Sequence, residues 1–363
     1  MTTTTSGETV SPHVRDLDEL KGAMTDWLGA RMPEVTDIRL DNFTYPRGAG
    51  MSHETILFDA HWTEGGTARE QGLVVRIKPT GHLVYQDDMF EQQYRIMSAL
   101  YEDGRVRVAK TLWLEHDPSL LGAPFFVMEK RAGNVAVSIP PYSREGWLFD
   151  SSPEMRHTVW RNAVTQLGLI QTVPLDKVAF LDPPGGPNGF DFEWDRWNRF
   201  LGWISQTERF EFLERALAAL EKTMPPERPA GIVWGDSRLG NMMIAKDGSV
   251  AAVMDWEQIS LGGPLHDLGW WLQIDEGQTK AQGIPRLEGM GTREETIALW
   301  TEVSGKSAAD IDWFQAFAAF KLCCLTVQTC RLGAAIARGR DPVDNPTSRA
   351  LAAMLDIAPP RAA

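Results

Sequence analysis

Three side chains in one stretch of this chain have the types and spacing to do chemistry together. Asp236 follows the apolar run Ile232-Val233-Trp234, Asn241 stands five residues later, and Asp255 closes the strand-like run Val250–Met254 that follows the turn Lys246-Asp247-Gly248. A carboxylate within hydrogen-bond reach of a hydroxyl can orient it and take its proton. A carboxamide and a second carboxylate supply the few protein oxygens that Mg²⁺ accepts when phosphate and water provide the rest. Phosphoryl transfer asks a protein mainly for such positioning and charge neutralisation. Taken singly, Asp236 could cap a turn, Asn241 close it and Asp255 end a strand. As a spaced set they point to transfer of a phosphoryl group to a hydroxyl.

The block from Trp234-Gly235-Asp236 through Asn241 to Asp255 resembles the catalytic core of the aminoglycoside phosphotransferase family, part of the wider protein-kinase-like fold. That family carries His-Gly-Asp, four residues, Asn, and a short hairpin ending in Asp; here Trp234 stands where the His would be. The resemblance implies that Asp236 is the catalytic base, that Asn241 and Asp255 hold Mg²⁺, and that ATP is the phosphoryl donor. Further on, Gly262-Gly263-Pro264-Leu265-His266-Asp267 is similar to the family's loop into a helix, which implies a structural Asp267 that accepts backbone N–H groups of the catalytic loop.

The elements that must position this block lie on either side of it. The apolar set Leu17, Leu20, Met24, Trp27 and Leu28 has helical spacing and is stopped by Pro33. Strands are expected over 38–43, 55–62 and 72–78, and a further strand over 106–114. The glycine-rich stretch Arg47-Gly48-Ala49-Gly50-Met51-Ser52 lies between the first two, where backbone N–H groups can wrap a phosphate, with Gly50 and Ser52 as the contacts. The family likeness places a phosphate-gripping cation at Arg76, with Lys78 on the same face. Its carboxylate partner would fall on the helix 89–101, where Gln93 stands; Gln93 lies inside the apolar arc and Glu91 outside it. The apolar strand ending near Glu129 resembles the family's hinge, with backbone groups near Glu129 and Arg131 meeting the adenine edge. Residues 154–172, 190–203, 210–222, 292–304 and 310–338 read as helices, 277–291 as a glycine-rich segment over the acceptor, and the end of the chain as a proline-rich tail.

The resemblance therefore implies an α+β, bilobal fold: a small antiparallel sheet lobe over 33–128 behind an N-terminal helix (1–32), and a mainly helical lobe over 129–363. The acceptor is left open. Within the family, the runs Arg47–Trp62, Gln92–Leu100 and Pro124–Glu129 look closer to kinase domains associated with acyl-CoA metabolism than to resistance enzymes. A hydroxylated acyl or lipid-like metabolite such as a hydroxyacyl-CoA would suit an aromatic pocket using Trp194, Trp197 and Trp271. An aminoglycoside would want free carboxylates, with Asp191, Glu193 and Asp195 as candidates. A catalytically weak nucleotide-binding module is the third reading, motivated by Trp234 and Gln93.

Composition bounds these readings. The 363 residues carry a formal charge of −13, which disfavours nucleic acid as a partner. No apolar run reaches membrane-spanning length, and the Thr-rich start lacks the order of a signal peptide. Cys323, Cys324 and Cys330 share one apolar stretch without metal-ligand spacing, so buried thiols in a reducing cytoplasm are expected.

Overall fold

The computed structural model describes residues 15–46, 53–81, 84–138, 140–182, 185, 189–333, 339 and 341–360. The chain divides into two compact units, one formed by residues 1–84 and 109–131 and the other by 85–108 and 132–363.

The first unit is one helix against one sheet. Helix α1 (Leu17–Arg31) begins where the Asp16 carboxylate accepts the N–H groups of Asp18 and Glu19, leaving few orphan donors at that end. Strands β1 (Thr36–Thr44), β2 (Glu54–Glu64), β3 (Thr67–Ile77), β4 (Thr111–Glu115) and β5 (Phe125–Glu129) form an antiparallel sheet in the order β1-β2-β3-β5-β4. The buried stripe Leu20, Met24, Trp27 and Leu28 packs on alternate residues of the strands, Leu40, Ile56, Phe58, Leu73, Val75 and Val127 among them. Trp27 adds a hydrogen bond from its indole nitrogen to Glu115 at 2.9 Å.

The second unit is mainly helical. Its first helix, α2 (Phe90–Asp103), buries Gln93 and leaves Glu91 exposed. A small sheet of β6 (Asn134–Val135), β7 (Met242–Ile244) and β8 (Val250–Val253) follows, with β7 and β8 as a tight hairpin. The short helix α3 (Trp147–Asp150) leads into α4 (Pro153–Ile170), which opens on a Ser152 cap with proline in its first turn. The remaining helices are α5 (Gly189–Ile204), α6 (Glu211–Lys222), α7 (Leu265–Gln278), α8 (Arg293–Ser304), α9 (Ile311–Arg331) and α10 (Pro346–Met354). Trp197, Phe200 and Ile204 of α5 meet Phe317, Phe320 and Cys324 of α9 in one apolar core. Among the described residues no helix is long and apolar enough to cross a membrane.

Four sequence expectations are corrected. Residues 106–110 form no strand: Val106 and Val108 are buried, but the Arg107 N–H donates to Gln166 and its carbonyl accepts from Val253, so this backbone is used within the second unit. Helix α7 extends through residue 278, into the stretch read as a glycine-rich loop. The tail is not merely proline-rich, because Asn345 caps α10 and Pro346 fits its first turn. Cys323 and Cys324 are buried and free, whereas Cys330 is only half-buried.

Candidate active site

The loop that carries Asp236 and the hairpin end at Asp255 are shaped by two backbone demands. Gly235 has φ +98°, and a Cβ there would sit 2.3 Å from Cβ of Gln258, so only glycine fits. Asp255 adopts φ +63° without being glycine, a conformation concentrated at functional positions because it must be held by its surroundings. The holding groups are visible. Asp267, fully buried on α7, accepts the N–H of Trp234 at 2.6 Å and of Gly235 at 2.8 Å, and its own carbonyl accepts the Ser237 hydroxyl at 2.7 Å. The Trp234 indole donates to the carbonyls of Met254 at 2.7 Å and Asp255 at 3.2 Å while its ring packs on Trp256. The Met254 N–H donates to the Asn241 carbonyl, closing the hairpin.

On this frame the Asp236 carboxylate receives three donors. Oδ1 accepts the Trp270 indole N–H at 2.9 Å; Oδ2 accepts Asn241 Nδ2 at 2.7 Å and Arg238 Nε at 2.9 Å. Asn241 Nδ2 also donates to the Asp236 carbonyl at 3.0 Å, so its side-chain oxygen is turned away from Asp236. Arg238 reaches on to the Ser138 hydroxyl at 2.9 Å. Burial works against the charge of Arg238, but Asp236, by charge and hydrogen bond, and then Asp255 outweigh it and raise its pKa. Tyr85 feels Glu257, Asp236 and Asp255 together, and with burial as the main cause its phenol is pushed well up. Asp236, Asp255, Arg238 and Tyr85 thus act on one another electrostatically.

Beneath the loop lies a set of buried charges. Burial raises the Asp267 carboxyl to about 6 against the pull of its two backbone donors, and drives His266 down to about 3, helped by the Lys321 ammonium. Glu193 and Arg196 pair at 2.7 Å, and Arg196 also donates to the carbonyls of Gln258 at 3.0 Å and Ile259 at 3.1 Å and to Asp87 at 3.2 Å. The segment following Asp255 is therefore tied to α5.

The other residues named from the sequence are placed as follows. Gly50 and Ser52 lie outside the described residues. Arg76 is on β3, half-buried and opposite Thr55 and Phe126; Gln93 is on α2 of the other unit, 1% exposed. Glu129 ends β5 with its carboxylate 3.4 Å from Arg131, and the N–H groups of Glu129 and Lys130 are taken by the carbonyls of Lys110 and Gly72. Trp194 packs on Trp313 and Phe317 at the edge of the helical core. Trp197 lines a hollow with Tyr85, Asp87, Arg196 and Gln258. Trp271 lines another with Ser138, Tyr142, Arg238, Ile274 and Asp275, which Arg238 joins directly to the Asp236 carboxylate.

Arg238, Trp270 and Tyr85 were not singled out from the sequence. A signal existed for two of them. Arg238 is two residues beyond Asp236, and Trp270 is three beyond Asp267, so a helix that offers Asp267 to the loop offers Trp270 as well. Tyr85 belongs to no motif and arrives by tertiary packing alone.

Among the described residues no group of three His, Cys, Asp or Glu side chains is gathered as a metal cage. Asn241, with its amide nitrogen committed to Asp236, and Asp255 offer two oxygen donors, which suits an ion that keeps phosphate and water as its other ligands.

The chain is similar to known proteins in sequence and in fold. The phosphotransferase enzyme family (APH) matches residues 52–302. The chain is 25% identical over 295 residues to the probable acyl-CoA dehydrogenase IBR3 of Arabidopsis thaliana, covering 76% of this chain and 34% of that protein, so it spans about a third of that relative's length. Among solved structures, a provisionally assigned aminoglycoside phosphotransferase from Ralstonia eutropha is similar over 92% of this chain and 95% of its own, with 23% identity and a TM-score of 0.65. An amicoumacin kinase solved in complex with AMP-PNP, Ca²⁺ and Ami is similar over 93% of this chain and 94% of its own, at 12% identity and a TM-score of 0.53.

Proposed function

Because this chain belongs to the APH phosphotransferase enzyme family, we propose that it transfers the γ-phosphoryl group of ATP to a hydroxyl of a small molecule, with Asp236 as the base. The observation that carries this reading is the Asp236 carboxylate itself, oriented by Trp270, Asn241 and Arg238 at 2.7–2.9 Å. Three donors fix the direction of the carboxylate, which must face the attacking hydroxyl to take its proton. Asn241 and Asp255 would hold Mg²⁺, which when bound neutralises phosphate charge. Arg238 supplies a fixed positive charge beside the base. Arg76 and the glycine-rich loop with Gly50 and Ser52 are assigned to the phosphates, and the backbone near Glu129 and Arg131 to adenine.

The charge distribution bears on the acceptor. An aminoglycoside needs carboxylates open to its ammonium groups. Glu193 is buried against Arg196 at 2.7 Å, Asp195 is paired with Arg199 at 2.8 Å, and Asp191 lies 3.7 Å from Arg228. Asp275, in the hollow beside Arg238, is paired with Arg286 and accepts the Tyr142 hydroxyl at 3.2 Å. Glu193, Asp195 and Asp275 are thus each paired with an arginine, and the largely exposed Asp191 has one nearby. With Trp271, Ile274 and Tyr142 around the same hollow, this favours a hydroxylated acyl or lipid-like metabolite, a hydroxyacyl-CoA thioester for instance, over a polycation. The acyl-CoA dehydrogenase names among the relatives agree with that choice.

A catalytically weak nucleotide-binding module is the second reading. It is favoured by Gln93, a neutral amide at 1% exposure where the family carries a carboxylate. The two separate on ADP release, measured with and without hydroxyacyl-CoA thioesters and, in parallel, aminoglycosides. Asp236→Asn should lower turnover by about 10²–10⁴-fold, and Asp255→Ala should abolish it. Wild-type rates in Asp236→Asn would remove the base from the mechanism; no ADP release from the wild type with any acceptor would favour the weak module.

A further inference from the structure

The carboxylate of Asp236 offers about four positions to hydrogen-bond donors. Among the described residues Oδ2 has two, Asn241 and Arg238, whereas Oδ1 has the Trp270 indole as its donor. An attacking hydroxyl therefore has room on Oδ1, the oxygen whose direction the indole sets. The terminal torsion of an aspartate is soft, so that direction depends on the donor. Trp270 is itself 3% exposed on α7, one turn beyond Asp267, so the same helix holds both the backbone of the loop and the side chain of the base.

Lys321 stands behind the indole. It comes from α9, is 2% exposed, and its ammonium lies 5.3 Å from the Trp270 ring centre, 5.3 Å from that of Phe317 and 5.5 Å from that of Trp197. A cation over the face of an aromatic ring is attracted by the ring's negative face, and within about 6 Å the attraction is significant in a desolvated site. It also draws electron density toward the face, which makes the indole N–H a stronger donor. Burial lowers the pKa of Lys321, and the charges of Glu193 and Asp267 oppose that loss. A buried lysine with a merely packing role would be dispensable, since replacing buried charge by an apolar side chain of similar volume is often neutral or stabilising.

We propose that Trp270, backed by the ammonium of Lys321, is a positioning residue for the proposed base, aiming Oδ1 of Asp236 at the acceptor hydroxyl. This rests on the reading of Asp236 as the base. The pair acts on the carboxylate alone, not on nucleotide binding, so it separates kcat from the KM for ATP.

The test uses the full chain with Trp270→Phe, which keeps a ring and removes the N–H, Lys321→Met, the double variant, and Asp236→Asn as reference. ADP release gives kcat and KM for ATP, and the thermal shift with Mg-ATP reports nucleotide binding. Trp270→Phe should lower kcat about 10- to 100-fold, the range that misplacing a reacting group costs, with the KM for ATP and the Mg-ATP shift unchanged. Lys321→Met should lower kcat by a smaller factor, and the double variant should be no slower than Trp270→Phe, because Lys321 acts through the indole. Wild-type kcat in Trp270→Phe beside an inactive Asp236→Asn would overturn this proposal and leave the base in place. Multiplying effects in the double variant, or a lost Mg-ATP shift in Lys321→Met, would also overturn it. An active Asp236→Asn would instead bring down the reading on which the proposal rests.

Discussion

Asp267→Asn separates what the buried carboxylate does for stability from what it does for turnover. In the native chain two oxygens accept two backbone N–H groups, from Trp234 at 2.6 Å and Gly235 at 2.8 Å. Asparagine keeps the volume but has one oxygen, so one N–H faces an amino group. Losing a bond to a charged acceptor and orphaning a buried donor together cost about 2–5 kcal/mol. Against this stands the relief of no longer burying a charge. The folded carboxyl titrates at about 6 rather than 3.8, so the native chain loses stability as pH rises from about 4 to about 6 and is level above that. At about 1.4 kcal/mol per pKa unit that loss is complete at pH 7.5, at about 3 kcal/mol, and is about half of that at pH 5. The two effects nearly offset at pH 7.5, so Asp267→Asn should fold within a few kcal/mol of the wild type while the loop that carries Asp236 is displaced and turnover falls at least about 100-fold. Urea melts should show the variant losing ground to the wild type by about 1 kcal/mol on going from pH 7.5 to pH 5. Turnover within a few-fold of wild type, or a gap that narrows at pH 5, would refute the reasoning.

His266 carries a pH slope of the opposite sign. Buried against Phe190, Phe314 and Phe317 and near Lys321, Arg196 and Glu193, it titrates at about 3 when folded and near 6.5 when unfolded, so stability present above pH 6.5 is lost as pH falls toward 3. At pH 5 this amounts to about 2 kcal/mol, and His266→Leu should flatten the wild-type loss between pH 7 and pH 5 by that much in urea melts; parallel slopes would count against it. Gly235→Ala and Gly104→Ala form a matched pair, with φ +98° and +78°, but a Cβ at 235 meets Gln258 whereas nothing lies within 4 Å of one at 104. Gly104→Ala should cost about 1–2 kcal/mol of backbone strain, and Gly235→Ala should cost more and abolish ADP release; equal melting temperatures would show that the loop yields.

How far the sequence reaches is visible residue by residue. The hairpin from Asn241 to Asp255 is legible because two short apolar runs flank a turn and end on polar groups, a pattern local in sequence. The stripe of α1 is legible for the same reason. Val106 and Val108 mimic a strand by alternation, yet the Arg107 backbone between them donates to the Gln166 side chain and accepts from the Val253 N–H, a choice made by tertiary packing. Helix α10 carried its own signal, Asn345 followed by Pro346, and was hidden by the prolines around it. The aromatic helix α5 is amphipathic on sight, but only the fold divides its tryptophans between the helical core and a hollow. Arg238 and Trp270 were in view as letters; what the sequence does not supply is the pairing of both with one carboxylate.

The departure at Trp234 also changes meaning once the loop is in place. A tryptophan where the family carries histidine removes an imidazole, and as a bare substitution it suggests lost chemistry. In the fold the position is fully buried, and its ring nitrogen donates to the carbonyls of Met254 and Asp255, next to a backbone at φ +63° that costs about 1–2 kcal/mol to hold. The position therefore demands an N–H donor of suitable reach, which an indole supplies, with added area against Trp256. Asp255 is clamped by this donor from one side, and its following segment by Arg196 through Gln258 and Ile259 from the other. A carboxylate held in a strained backbone, braced at its own carbonyl and again three and four residues further on, agrees better with the proposed metal-holding role than with a module that has given up catalysis.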